Sequence, residues 1–232
     1  MNKFFLLFLI IGISVNAQVN QFDAEGKRHG LWKGTFEESG RVRYEGTFEH
    51  GRETGIFTYY DDTKAHPVIA TRNFSKGPDS VWTIYYDQQK NVVSQGMLKG
   101  KLPHGTWVYF HKASKDTMTV EKYANGKLDG VRKVFYRSKS PAETVSYKNG
   151  VLHGPYRKYS EKGAVMEEVN YVNGLIEGPA VYRDGAGVLI SRGNYKGGRK
   201  DGIWEVYREG KLYKKEKHPQ VRKFAKRPPK KP

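Results

Sequence analysis

Seven histidines, twenty-four carboxylates and forty-one lysines and arginines are the groups with which this 232-residue chain could do chemistry. His29, His104 and His153 each stand before a glycine, in the first, fourth and sixth copies of the repeat set out below. At ~4.8 Å per strand they would lie ~20 Å or more apart, too far to share a metal ion with Zn–N bonds of ~2.0 Å. They read as turn-facing hydrogen-bonding residues, and no metal site is expected. His50, His66, His111 and His218 show no HxH or HExxH spacing. The acids concentrate in turn-forming positions such as Asp61, Asp62, Glu161 and Asp184. There is no cysteine, no GxSxG and no SxxK, and Gly185-Ala-Gly187 sits in a hairpin turn with no helix after it. The expectation is a protein with no catalytic residues and no cofactor.

Recognition chemistry is better represented. Arg132, Lys133 and Arg137 stand in the unit next to Arg157 and Lys158, interleaved with Phe135, Tyr136, Tyr156 and Tyr159. Cations among aromatic rings supply donors and flat stacking surfaces suited to phosphorylated sugars or acidic peptides. These nine residues are the expected ligand-binding patch. The formal net charge is +17, and residues 211–232 hold ten Lys/Arg against one Glu. Such charge raises nucleic acid as a partner, but an exported chain meets lipid head groups, acidic glycans and acidic proteins instead. Nucleic acid is therefore not expected.

The elements that must position these groups repeat. One slot recurs as Gly30, Gly55, Ser80, Gly105, Gly130, Gly154, Gly178 and Gly202. Two residues on come Trp32, Phe57, Trp82, Trp107, Arg132, Tyr156, Ala180 and Trp204. Later in each unit come Phe48, Phe74, Met97, Tyr123, Tyr147, Tyr171 and Tyr195, then a second glycine, three times within an Asn-Gly pair (Asn125, Asn149, Asn173). Aromatic and β-branched residues fill both halves of the unit and neither half keeps a helical period. Each unit reads as a hairpin, with Asn-Gly supplying the positive φ angles that turn the chain into the next one. The fold predicted is all-β: an elongated, single-layer antiparallel meander of about eight tandem hairpins, its equivalent rings stacked as ladders. The slot glycine is expected to be the bare backbone over which a neighbouring ring lies.

The segment Tyr44-Glu-Gly-Thr-Phe48-Glu-His-Gly51-Arg-Glu-Thr-Gly55 resembles the core of the MORN repeat, and His29-Gly30, His104-Gly105 and His153-Gly154 match its His-Gly pair. The whole is similar to the bacterial variant in YwqK-like proteins, a family often labelled antitoxin. The likeness covers roughly residues 26–210. It departs at Ser80 for glycine, at Arg132 and Ala180 for the aromatic, and at Thr54, Asp129, Glu177 and Asp201 for histidine, which singles out the third, fifth and seventh units. The resemblance implies an extended β scaffold offering a protein or lipid contact surface, without activity of its own.

The ends give the address. Lys3 followed by the uncharged run Phe4 to Val15 and by Val15-Asn16-Ala17 reads as a signal peptide at 1–17, too short to span a bilayer as a helix. The repeat array occupies 18–219. Lys214, Lys215, Lys217 and Pro219 are expected to close its last edge, and 220–232 form a basic, Pro-rich tail. An exported, periplasmic or surface-located scaffold that binds an envelope protein is the first functional expectation. The alternative is a module for an anionic ligand such as lipopolysaccharide, a phospholipid head group or a wall glycan.

Overall fold

The computed structural model describes residues 18–77 and 79–219; the expected signal peptide and basic tail lie outside them. Every regular element among the described residues is a strand. In chain order these are β1 (Gln21–Phe22), β2 (Arg28–Thr35), β3 (Val42–Glu49), β4 (Arg52–Tyr60), β5 (Val68–Asn73), β6 (Val81–Tyr86) and β7 (Val92–Lys99). There follow β8 (Leu102–Phe110), β9 (Thr117–Ala124), β10 (Lys127–Leu128), β11 (Gly130–Phe135), β12 (Pro141–Lys148) and β13 (Val151–Tyr159). The series ends with β14 (Val165–Val172), β15 (Leu175–Ile176), β16 (Gly178–Arg183), β17 (Leu189–Lys196), β18 (Arg199–Arg208) and β19 (Lys211–His218). All pairings are antiparallel and between chain neighbours, with β10/β11 and β15/β16 each acting as one interrupted strand. The result is the expected meander of eight hairpins in one open sheet. Seventeen strand positions at ~4.8 Å give ~80 Å across the strands.

Asn125, Asn149 and Asn173 adopt φ of 50°, 51° and 49°, each followed by a glycine at positive φ, so the two-residue turns form as their residue types require. The slot glycines work differently from expectation. Gly30, Gly55, Gly105, Gly178 and Gly202 have φ between 64° and 82°, and a Cβ added to any of them would meet nothing within 4 Å. They are left-handed residues that let the strand bulge. At Gly55, for example, the pairing jumps from Thr47↔Thr54 to Glu45↔Thr58. The rings lie instead over strand glycines in the preceding strand: Phe57 over Gly46, Trp107 over Gly96 and Trp204 over Gly193, where a Cβ would fall well under 3.0 Å from ring atoms.

Register then assembles one row of side chains across a single face of the sheet. From β2 onward it runs Trp32, Gly46, Phe57, Arg72, Thr83, Gly96, Trp107, Glu121, Arg132, Val145, Tyr156, Val169, Ala180, Gly193, Trp204 and Glu216. Phe57 is 1% exposed and Trp204 0%. Each tryptophan of the row also donates its indole N–H to a carbonyl in the strand before it: Trp32 to Gln21, Trp107 to Met97 and Trp204 to Asn194, all at 3.0 Å. The bare glycine brings the ring down to the backbone, and the hydrogen bond satisfies its one donor. Two apolar clusters result, one holding Trp32, Phe48, Phe57, Phe74, Val81, Leu98 and Trp107, the other Val169, Ala180 and Trp204. Rings of Tyr44, Tyr59, Tyr85, Tyr109 and Tyr123 pack against the first.

The third unit departs from the repeat. Ser80 replaces the slot glycine and no bulge separates β5 from β6; Asn73 pairs with Trp82 and Thr83 enters the row. A one-residue change of register exchanges the faces. Val81 and Thr83 are buried, whereas Trp82, expected to be equivalent to Trp32 and Trp107, is 42% exposed on the other face. For the same reason Leu98, rather than Met97, takes the place of Phe48 and Phe74 in the core.

Candidate interaction faces

The nine residues expected to form one patch are divided by the pleat. Arg132, Tyr156 and Lys158 alternate onto the face that carries the buried row, while Lys133, Phe135, Arg157 and Tyr159 alternate onto the opposite face. Tyr136 and Arg137 stand in the turn after β11, where the Tyr136 hydroxyl donates to the Tyr159 carbonyl at 2.7 Å and Arg137 Nη2 to the Lys112 carbonyl at 3.4 Å. The geometry does not gather the set into a single site.

Most of its arginines are also engaged. Arg132 lies between two carboxylates, 3.1 Å from Glu121 and 3.2 Å from Glu143. It takes the aromatic position of the fifth unit as the centre of a polar group, in which the Tyr123 hydroxyl donates to Glu121 and that of Tyr156 to Glu143. Burial and these carboxylates push both phenol pKa values up, so the two hydroxyls remain donors. Arg157 is tied to Glu168 at 2.7 Å, and on β17 Arg192 is likewise tied to Glu205 at 2.7 Å. Tyr207, Arg192 and Lys215 together hold the Glu205 carboxyl down to about 2.

The face opposite the row is where uncovered apolar surface collects. Each hairpin carries a bulge near the start of its second strand, set by pairings such as Tyr59↔Ala70 beside Tyr60↔Val68. The extra residues so produced include Ile69, Val93, Met118, Ile190 and Tyr213, all of them exposed. Over β4 to β9 they join Ile56, 62% exposed, and Trp82, which flank Asn73 across β4, β5 and β6. Thr58, Thr71, Ile84, Gln95, Val108 and Val120 continue the same register between them. None of these positions is charged. The equivalent positions of flanking strands hold Lys33 and Glu45 on one side and Lys133, Arg157 and Glu168 on the other. Sequence reasoning missed this face because it placed Trp82 in the core.

Acids and histidines before the slot glycines have a structural duty at the turn end of the sheet. Asp129 accepts the backbone N–H of Asn149 at 3.1 Å, His153 that of Asn173 at 3.5 Å and Glu177 that of Gly197 at 2.7 Å. One position thus caps the turn of the next hairpin and accommodates three residue types. The first unit differs, because His29 there meets His50, with ring centroids 5.1 Å apart.

No curated protein matches the chain. A family model described as MORN repeat variant matches residues 128–149 and 152–173, which are the fifth and sixth hairpins of the sheet. These two hairpins are thus similar to the MORN repeat variant.

Proposed function

We propose that this chain is an exported, non-catalytic scaffold of the cell envelope that binds a protein partner through the exposed apolar side chains on the face opposite the row, over β4 to β9. The observation that carries the reading is Trp82 with Ile56, Ile69, Val93 and Met118, large apolar side chains held out of the core on adjacent strands. A contiguous exposed apolar patch bordered by charge is the signature of a contact surface. The pairing of Arg132, Arg157 and Arg192 with carboxylates argues against an anionic ligand as the main occupant.

The test is capture from envelope extracts at low and high salt by the wild type and by the Ile56→Thr/Trp82→Thr variant. A protein retained at high salt by the wild type and lost by the variant supports the reading, since apolar contact is insensitive to screening. Salt-sensitive retention on envelope lipids or glycans without a protein overturns it. So does concentration-dependent dimerisation abolished by the same substitutions, which would assign the face to a second copy.

A further inference from the structure

The N-terminal turn end holds a cluster that the repeat does not explain. Asp23, His29 and His50 come from the β1–β2 turn, from β2 and from the β3–β4 turn, and their ligand atoms all lie within 4.8 Å of one another. The Asp23 side chain is 9% exposed and fixed in place: one oxygen accepts the backbone N–H groups of Lys27 at 2.8 Å and Glu25 at 3.1 Å. Its other oxygen lies 2.8 Å from His50 Nδ1, and Glu25 Oε2 is 3.9 Å from the same nitrogen.

His50 occupies a position filled otherwise in sister hairpins. His50 stands at φ 47° in the turn slot where Asn125, Asn149 and Asn173 serve elsewhere, although histidine at positive φ is uncommon. His29 stands in the capping slot, yet among the described residues its ring makes no hydrogen bond, whereas His153 in that slot caps the turn of the next hairpin. No turn requirement accounts for a pair of imidazoles facing a fixed carboxylate.

We propose that Asp23, His29 and His50, with Glu25 as a further oxygen ligand, form a binding site for a divalent borderline metal ion, for which zinc is the probe. Imidazole nitrogen with carboxylate oxygen is a donor set for zinc-like ions rather than for calcium or magnesium. Tetrahedral zinc with bonds of ~2.0 Å places its ligands ~3.3 Å apart, so the present spacing closes by rotation of two exposed rings. The carboxylate, held by two backbone N–H groups, supplies the fixed point. This assigns chemistry to histidines that sequence spacing marked as scaffold only: His29 finds its partner in the next turn, not in the distant His104 or His153. A bound ion would tie three successive elements together at the edge where β1 contributes only two residues.

Tag-free chain is titrated with zinc chloride by calorimetry, beside His50→Asn, which restores the residue used in sister turns, His29→Gln, and His153→Gln as control. One zinc per wild-type chain is expected. Affinity should fall about tenfold or more in each of the two site variants, on the scale of losses at metal sites, and remain unchanged in the control. On wild-type protein, zinc should shift the imidazole signals of His29 and His50 and no others. Absence of binding, equal binding by His50→Asn, or shifts spread across all the histidines would each overturn the site.

Discussion

Alanine at Gly96 should damage the sheet through Trp107 and through nothing else. The new methyl group would fall well under 3.0 Å from ring atoms of Trp107, a side chain only 4% exposed, so the ring must lift from the backbone. Forcing an extra carbon into a packed site costs about 1–3 kcal/mol. Lifting the ring also breaks the 3.0 Å indole bond to the Met97 carbonyl, and a buried partner left unsatisfied adds about 1–3 kcal/mol. Reduced freedom of the unfolded chain offsets about 0.5–1 kcal/mol. The net is a loss of about 1–5 kcal/mol, and at about 2–4 °C per kcal/mol for a chain of this size it is measurable in a thermal melt. Gly105→Ala is the comparison: its Cβ meets open space but its φ is 68°, so it should cost about 1–2 kcal/mol of backbone strain and leave the ring in place. Amide and indole hydrogen exchange distinguishes the two, because only Gly96→Ala should release protection of the Trp107 indole. In a double-mutant cycle with Trp107→Ala the glycine substitution should become nearly neutral. Additive effects in that cycle, or full indole protection in Gly96→Ala, would refute the account of the strand glycine.

Trp107→Ala should cost about 3–5 kcal/mol as a cavity in the core, while Trp82→Thr should stay within about 1 kcal/mol despite removing the same residue type, a contrast that urea denaturation measures directly. Arg132→Met leaves Glu121 and Glu143 facing one another without their shared cation and should destabilise by about 1–3 kcal/mol, checked by the same denaturation. The Glu205 carboxyl, lowered from 4.5 to about 2, binds its proton less readily when folded than when unfolded. Its contribution is therefore complete above the unfolded value and is lost as pH falls from 4.5 through about 2. Melting temperatures across that range should fall less steeply for Glu205→Gln than for the wild type.

The hairpin and its period were legible because they rest on local chemistry. Asn-Gly requires a particular turn, and alternating rings on either side require strands. What was misread depends on pairing between strands. Gly55 and Gly105 announce a bulge but do not say which strand slips, so the covering role assigned to them belongs to Gly46 and Gly96. Trp82 has the same offset from its slot as Trp32 and Trp107, yet Ser80 removes the bulge and the parity reverses. The departure of Ser80 from the repeat was the available signal. Arg132 and Arg157 are adjacent along the sheet direction but belong to opposite faces, a distinction that counting residues within each strand would have made. His50 was invisible as a partner of His29 because their proximity arises from the pairing of β2 with β3 rather than from one motif.

The substitution of Arg132 for an aromatic ring has a mechanical meaning for the whole array. In a linear lattice of units that contact only their neighbours, stability is a sum of nearest-neighbour couplings, and the weakest coupling decides whether the array melts as one body or two. The apolar clusters stop at Trp107 on one side and resume at Val169 on the other, with the Glu121–Arg132–Glu143 group between them. That seam is expected to divide the sheet into two cooperative blocks, seen as two transitions in a thermal melt. The end with the proposed zinc site and the apolar patch over β4 to β9 would then share one block and the lysine-edged β19 the other, each half bearing load on its own.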